Sequence, residues 1–211
     1  MGYDRKKVSI AVVRRLPRYY RYLEELLRND ITRISSKELS ERMGVTASQI
    51  RQDLNCFGGF GQQGYGYNVE YLYKEIGNIL GLYNGYNSIL IGAGNLGHAL
   101  ANHTSFERRG FKLVGIFDAN KKLVGEEIRG IQIRHIDELD SFMKNNVVDI
   151  GILAIPKDTV VETAQKLADL GVKGLWNFSY TDLDVPETVA VESVHLSDSL
   201  MTLSYMITEK E

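Results

Sequence analysis

Hydrophobic and polar residues alternate with two different periods along this chain. From Val8 to Leu82, apolar residues recur at the spacing of helices that bury one face. Beyond residue 85, short runs of Ile, Leu and Val alternate with helical segments, which is typical of a parallel sheet covered by helices. The pattern predicts three parts: a helical domain over 1–85, an α/β domain over 86–195 and a terminal helix over 196–211.

The N-terminal part carries the signals of a helix-turn-helix. Because proline is tolerated at a helix start or a break, we expect a short leading helix and a main helix from about Pro17 to Arg28. Ser35–Glu38 and Thr46–Gln49 both fit the capping-box pattern and predict two short helices. Gly44 lies between them and suits the end of the first. A plain pair of packed helices is the alternative.

The second helix of a helix-turn-helix lies in the major groove of DNA, where its first residues reach the base edges. Gln can pair there with adenine, and Arg with guanine or a phosphate. The glycine- and aromatic-rich run Phe57–Asn68 follows and predicts a hairpin wing, with a flexible linker as the alternative. The candidate DNA-binding residues are Thr46, Ser48, Gln49, Arg51, Gln52, Gln62, Gln63 and Tyr67.

A parallel sheet with helices on both faces is predicted for the α/β part. Strands are expected at 88–91, 112–117, 149–155, 173–178 and 189–195, with a short one at 131–133, and helices at 95–105, 136–145 and 158–170. Ligands of open parallel sheets bind beyond the carboxyl ends of the strands, so residues that follow those ends belong to the candidate pocket.

A glycine-rich turn lies near the start of the α/β part. Gly92-Ala93-Gly94-Asn95-Leu96-Gly97 follows one strand, opens a helix, and is followed by Asp118 at the end of the next strand. This context predicts a dinucleotide site, because the glycines permit a tight turn, a close pyrophosphate and close helix packing. The helix N-terminus favours phosphate. Asp118 would bind the ribose hydroxyls and favour NAD(H) over NADP(H), a preference that nearby Lys121 and Lys122 soften.

The candidate cofactor-binding residues come from this turn and from the strand ends. They are Gly92, Ala93, Gly94, Asn95, Leu96, Gly97, Asp118, Ala154, Ile155, Pro156, Asn177 and Phe178. A glycine turn that binds nothing is the alternative.

Composition and charge narrow the class of protein. The chain has 211 residues, of which 44% are hydrophobic and 25% charged, as in ordinary globular proteins. Residues 1–55 hold 12 Lys/Arg and 7 Asp/Glu, while the whole chain has a net charge of −2, so a basic first quarter precedes an acidic body. No membrane segment, signal peptide or metal-binding pattern is recognisable, and the single cysteine, Cys56, fits a reducing cytoplasm.

The C-terminal helix has an apolar stripe. It contains Leu196, Leu200, Leu203 and Ile207, with Met201, Tyr205 and Met206 beside it. Such a face needs a hydrophobic surface to cover, either on its own domain or on a second copy of the chain.

Several motifs together resemble the Rex family of bacterial redox-sensing transcriptional repressors, over essentially the whole length. They are Val45–Leu54, the glycine run Phe57–Tyr67, Gly92–Gly97 and the closing Leu200–Tyr205. The resemblance implies a homodimer with winged-helix and Rossmann domains, whose last helix is exchanged and lies between the partner's two domains. It also implies that the dimer binds palindromic double-stranded operator DNA, that NADH releases it, and that NAD⁺ competes weakly and permits DNA binding.

Three positions depart from the pattern of that family. His103 stands where many members have an aromatic residue near the nicotinamide, and His195 where they have an acid at the start of the exchanged helix. In those family members, the aromatic residue, the acid and an arginine that matches Arg21 form a contact that depends on redox state. Because histidine titrates near neutral pH, its presence predicts pH-dependent sensing. Gln63 replaces a common basic residue of the wing, which predicts weaker anchoring in the minor groove.

The resemblance therefore adds His103 to the cofactor-binding set. It also defines a switch and interface set, which comprises Arg21, His195, Leu196 and Leu200. We expect a non-enzymatic repressor in which NADH shifts the dimer between two arrangements. An NAD-dependent dehydrogenase and a repressor that senses another nucleotide, such as coenzyme A, are the alternatives.

Overall fold

The computed structural model describes residues 8–62 and 65–209, without the side chain of Gln62. The chain divides into two compact units between Tyr83 and Asn84. Each unit has its own hydrophobic core. The division lies two residues from the expected boundary at residue 85.

The first unit is a winged helix built from four helices and a small antiparallel sheet. Its helices are α1 (Ile10–Arg28), α2 (Ser36–Met43), α3 (Ala47–Asn55) and α4 (Val69–Ile79). Its strands are β1 (Arg33–Ile34), β2 (Gly61–Gln62) and β3 (Gly66–Asn68), in the order β1-β3-β2. The wing is therefore a hairpin rather than a linker, because β2 pairs with β3 in antiparallel fashion.

Helix α1 corrects the expectation of a break at Pro17. It runs without interruption from Ile10 to Arg28, with Pro17 inside it and exposed to solvent. A proline within a helix removes one hydrogen bond and destabilises it. The buried residues lie on both sides of the proline, so the core that α1 covers is continuous across it and offsets this cost. They are Val12, Leu16, Tyr19, Tyr20, Leu23 and Leu26.

The helix-turn-helix formed by α2 and α3 follows its capping signals. Ser35 accepts a hydrogen bond from the backbone of Glu38, and the Glu38 carboxylate accepts one from the backbone N–H of Ser35, which completes a capping box. Gly44 ends α2 in the left-handed conformation, with φ of 63°. Buried Leu39, Met43 and Ile50 belong to the core of the unit.

The second unit contains a seven-stranded sheet. Its strands are β4 (Tyr86–Ile91), β5 (Phe111–Asp118), β6 (Glu127–Ile128), β7 (Ile131–His135), β8 (Ile150–Leu153), β9 (Gly174–Asn177) and β10 (Ala190–Ser193). The order is β10-β9-β8-β4-β5-β7-β6, and every neighbouring pair is parallel except β6 with β7. The strand order reverses at β4, which marks the switch point of a Rossmann-type sheet.

Helices connect these strands less regularly than the sequence pattern predicts. The helices are α5 (Asn95–Ala101), α6 (Ser105–Arg108), α7 (Leu139–Asn145), α8 (Lys157–Asp169) and the terminal α9 (Leu196–Thr208). The single helix expected at 95–105 is wrong, since α5 ends at Ala101 and α6 begins at Ser105. Asn102 is the C-cap of α5, where its backbone N–H and its side-chain amide both donate to the carbonyl oxygen of His98.

Within the described residues, no helix is long and apolar enough to cross a membrane. The same residues contain no group of three or more His, Cys, Asp or Glu side chains arranged to hold a metal ion.

Candidate nucleotide site and DNA-binding face

The three glycines of the turn between β4 and α5 have three different physical roles. Gly92 has a φ of 97°, and a Cβ there would overlap the carbonyl oxygen of Ala154. A Cβ on Gly97 would overlap the carbonyl oxygen of Gly92. A Cβ on Gly94, in contrast, would meet no atom within 4 Å. Two glycines are therefore required by packing, whereas Gly94 leaves bare backbone open to a ligand.

Helix α5 begins directly above this open backbone. Gly94 is its N-cap, and no described side chain caps it. Asn95 is exposed and Leu96 is half-buried, while Ala93 is buried. An uncapped helix start offers N–H groups to an anionic ligand.

Asp118 lies at the end of β5 and closes the other side of the turn. Its Oδ2 accepts a hydrogen bond from the backbone N–H of Ala93 at 2.7 Å, and its Oδ1 accepts one from the backbone N–H of Asn120 at 2.7 Å. Each carboxylate oxygen can accept a further bond. The carboxylate is thus fixed beside the glycine turn and half-exposed, as a ribose-binding acid requires.

The ends of β8 and β9 border the same edge of the sheet. Ala154 and Ile155 are half-buried, Pro156 is exposed, and Ala154 donates its N–H to Ile91 at 2.9 Å. Phe178 is half-buried and its N–H is bonded to Leu153.

Asn177 is a correction to the cofactor-binding set. It is fully buried, and its amide nitrogen donates to Thr181 and Ser193 while its oxygen accepts from the N–H of Ser179. The side chain therefore fastens the sheet edge and is not available to a ligand. The sequence alone could not reveal these hydrogen bonds, because the loop that Asn177 holds has no periodic pattern of hydrophobic residues.

His103 lies in the segment between α5 and α6 and is exposed. Its Nδ1 is 2.7 Å from Ser105 Oγ, and its ring stacks on Phe106 with ring centroids 4.6 Å apart. Both residues line an apolar cavity of about 320 Å³ between the sheet and these two helices, which Trp176 also borders. The sequence pattern did not indicate this cavity, because its lining residues come from six separate elements.

The start of α9 contains His195 and is held by Tyr180. The rings of Tyr180 and His195 stack with centroids 5.1 Å apart, and the Tyr180 hydroxyl hydrogen-bonds to Ser197. His195 Nδ1 is buried and has no hydrogen-bond partner among the described residues. Beyond this anchor, α9 buries none of its residues; Leu196 is 58% exposed and Leu200 66% exposed. Its apolar stripe is uncovered in the single chain.

Helix α3 presents part of the predicted DNA-binding set to solvent. Thr46 caps the helix by accepting a hydrogen bond from the N–H of Gln49 at 3.1 Å. Ser48, Arg51 and Gln52 are exposed, and Arg51 donates to Ser36 Oγ at 3.0 Å. Arg21 is exposed on α1.

Gln49 and Tyr67, which also belong to the candidate DNA-binding set, are less exposed than Ser48, Arg51 and Gln52. The Gln49 amide does not complete the second half of a capping box; instead its Nε2 donates to Asp53 Oδ1 at 2.7 Å. Tyr67 is 8% exposed and belongs to the core. The Gln62 side chain and Gln63 lie outside the described residues.

Asp53 is the residue of this face that sequence reasoning missed. It is 1% exposed, and it accepts hydrogen bonds from Arg15 Nε, Arg15 Nη2, the Tyr19 hydroxyl and Gln49 Nε2, all at 2.6–2.7 Å. Burial by itself raises the pKa of Asp53, but the hydrogen bonds from Arg15, Tyr19 and Gln49 outweigh it and hold the pKa below its ordinary value. The sequence signal for Asp53 was its position, because an acidic residue lies one helical turn after Gln49 on the buried side of α3.

Two protein-family models match the chain, one on each unit. Residues 7–55 match "Putative DNA-binding protein N-terminus", and residues 84–181 match "CoA binding domain".

Curated relatives match over nearly the whole length. The redox-sensing transcriptional repressor Rex of Thermoanaerobacter pseudethanolicus is 63% identical over 205 residues, which cover 97% of this chain and 92% of that protein. The Rex repressor of Clostridium botulinum is 59% identical over 209 residues, which cover 99% of this chain and all of that protein. This chain belongs to the Rex family.

Solved structures of a Rex-family repressor, RSP, have the same fold. Its complex with β-NAD⁺ and operator DNA superposes with a TM-score of 0.91 at 62% identity, over 96% of this chain and 94% of that chain. Its complex with β-NADH gives a TM-score of 0.90 at 58% identity, over 97% and 96%. The winged-helix and Rossmann architecture expected from the sequence is therefore confirmed.

Proposed function

We propose that this Rex-family protein is a cytoplasmic, non-enzymatic transcriptional repressor that senses the NADH/NAD⁺ ratio. It binds operator DNA when NADH is scarce and leaves the operator when NADH binds. The observation that carries this function is the pairing of a dinucleotide turn in one unit with a helix-turn-helix and wing in the other. The RSP complexes with β-NAD⁺ and operator DNA, and with β-NADH, support it.

The nucleotide binds on the turn Gly92–Gly97. Gly94 supports this assignment, since its open backbone leaves room for a pyrophosphate above the start of α5. Asp118 binds the adenosine ribose, because its carboxylate is fixed at the turn and repels a 2′-phosphate. NADH and NAD⁺ are thereby favoured over coenzyme A and NADP(H), both of which carry a phosphate on the ribose.

The operator is held by α3 and the wing. Exposed Ser48, Arg51 and Gln52 extend from the recognition helix, and the basic charge of the first 55 residues attracts the phosphate backbone. Because a palindrome presents two equal half-sites, the repressor acts as a homodimer, with two recognition helices about one helical turn (~34–36 Å) apart.

NADH acts by a shift in population. The dimer exchanges between an arrangement that fits the operator and one that does not, and NADH binds the second more tightly. A coupling of ~1–3 kcal/mol changes operator affinity by about 5- to 150-fold. The resemblance assigns His103, His195 and Arg21 to the contact that couples the nucleotide to operator binding.

A gel-shift titration tests the function. An operator is first selected from random duplexes with the full-length protein, and NADH is then added to the complex. We expect NADH to release the operator at a concentration at which NAD⁺ leaves most of the protein–operator complex intact. The Asp118→Ala variant should bind the same operator and require at least about tenfold more NADH for release. Unchanged operator affinity at saturating NADH, with NADH demonstrably bound, would contradict the proposal.

A further inference from the structure

The orientation of the Gln49 amide on the recognition helix is fixed by a buried charge. Asp53 is 1% exposed and accepts bonds on both oxygens, and its lowered pKa keeps it ionised at neutral pH. An ionised carboxylate can only accept hydrogen bonds. The end of the Gln49 amide that faces Asp53 at 2.7 Å is therefore the nitrogen, and the oxygen is turned away from it.

The oxygen of that amide is left without a bond by the described residues. Among the described residues, Gln49 Oε1 has no hydrogen-bond partner, and it is not a buried atom. Gln49 lies in the first turn of α3, at the third helical position, where recognition helices contact base edges. Its unbonded oxygen is thus an acceptor that a base edge could use, whether or not its second Nε2 hydrogen also takes part.

We propose that Asp53 and Gln49 together form a specificity pair, in which buried Asp53 makes Gln49 select a base with a hydrogen-bond donor in the major groove. Adenine offers its N6 amino group there and cytosine its N4 amino group, whereas guanine and thymine offer acceptors. Gln49 therefore favours adenine or cytosine over guanine or thymine at one position of each half-site. This inference rests on the proposed function, because it concerns the same DNA-binding face.

The bonding pattern of Asp53 predicts what happens when its charge is removed. Oδ2 accepts from Arg15 Nε and the Tyr19 hydroxyl, while Oδ1 accepts from Arg15 Nη2 and Gln49. In an Asp53→Asn variant, the new side chain has one acceptor oxygen and one donor NH₂ group, and either orientation loses one bond from Arg15. The side chain at position 53 can then meet the Gln49 amide with either end, so the orientation of that amide is no longer fixed. The preference of Gln49 for adenine or cytosine consequently weakens.

The experiment measures the affinity of full-length variants for a complete set of single-base changes in the selected operator. For the wild type, we expect one position per half-site at which adenine or cytosine is favoured by about five- to hundredfold. Asp53→Asn should lower that ratio toward one, at that position alone. Gln49→Met, which matches glutamine in length and has no amide, should abolish the preference there and leave the other positions unchanged.

Tyr19→Phe is the matched control, since it removes one bond to Asp53 without contacting Gln49. It should lower thermal stability and leave every base preference as in the wild type. The inference is overturned if Gln49→Met alters no position, or if a cooperatively folded Asp53→Asn variant keeps the wild-type preference. Should Asp53→Asn fail to fold, Gln49→Met decides alone. A wild type that selects no duplex would instead overturn the proposed function, and this inference with it.

Discussion

At the scale of single residues, the glycines of the nucleotide turn separate packing from binding. Gly97 has no room for a methyl group, whereas Gly94 has open space and an ordinary negative φ of −67°. Sequence reasoning assigned different roles to these glycines, and the structure supplies the physical reason for each. The two positions therefore allow a matched pair of substitutions.

We expect Gly97→Ala to destabilise the Rossmann unit by at least about 1–3 kcal/mol, because the new methyl group overlaps the Gly92 carbonyl oxygen. Gly94→Ala should unfold at nearly the wild-type temperature and yet bind NADH at least about tenfold more weakly, since its methyl group takes the space of the pyrophosphate. Thermal unfolding and NADH fluorescence titration measure the two effects. Equal NADH affinity in Gly94→Ala and wild type would show that the nucleotide does not lie against this backbone.

Asp53 predicts a pH dependence of stability at the same scale. Its pKa in the folded protein lies below the ordinary value of 3.8, so the ionised carboxylate stabilises the fold above that value. The stabilisation is lost as the pH falls through the lower, folded-state pKa. We expect the stability difference between wild type and Asp53→Asn, about 1–3 kcal/mol at pH 7, to shrink steadily below pH ~4. Urea unfolding measured from pH 7 to pH 3 provides the comparison; a difference that stayed constant over this range would argue against an ionic role.

At the scale of elements, the sequence predicted helices and strands best where local signals and burial agree. Ser35 and Gly44 begin and end α2 as their chemistry requires, and the run before Gly92 forms the central strand β4. The helix break expected at Pro17 is absent, because the local cost of the proline is smaller than the stabilisation from the apolar face that α1 buries on both sides of it.

The site was harder to predict than the fold. Backbone-determined positions such as Gly92 and Asp118 could be located from motif spacing. The hydrogen bonds of Asn177, the burial of Tyr67 and the bond from Gln49 to Asp53 could not be read from motif spacing, because they depend on which side chains the fold buries.

Pro17 offers a test of the continuous helix. Pro17→Ala restores a backbone hydrogen bond in the interior of α1 and removes a steric clash, at an exposed position where no packing is lost. We expect the winged-helix unit to become more stable by about 1–3 kcal/mol. Differential scanning calorimetry of this variant and of Arg18→Ala, an exposed neighbour in the same helix, makes the comparison. A decrease in stability in Pro17→Ala but not in Arg18→Ala would contradict this expectation, because it would indicate that the core requires the proline itself.

At the scale of the whole molecule, α9 has an apolar face that the single chain leaves uncovered. Its apolar residues are more than half exposed, in a helix that buries no residue. Contiguous apolar surface of this kind marks an interaction site. In the proposed homodimer, a second copy of the chain would cover this face.

If the proposed homodimer packs through α9, Leu200→Glu should yield a monomer that does not bind operator, because a buried charge on α9 opposes its packing on the partner. Thr202→Glu is the control for added charge on the same helix and should keep the dimer, because Thr202 is exposed and lies on the opposite side of the helix from Leu200. Sedimentation equilibrium measures the assembly, and gel shift measures the binding. A Leu200→Glu variant that remained dimeric would exclude this stripe as the interface.

In the proposed mechanism, NADH and operator DNA favour different arrangements of one dimer, so each weakens the binding of the other by the same factor. The most direct test is to titrate NADH calorimetrically into the free protein and into the protein saturated with operator. We expect bound operator to lower the affinity for NADH by about 5- to 150-fold. This factor should equal the one by which NADH lowers the affinity for operator. Equal NADH affinity in the free and operator-bound protein would contradict it.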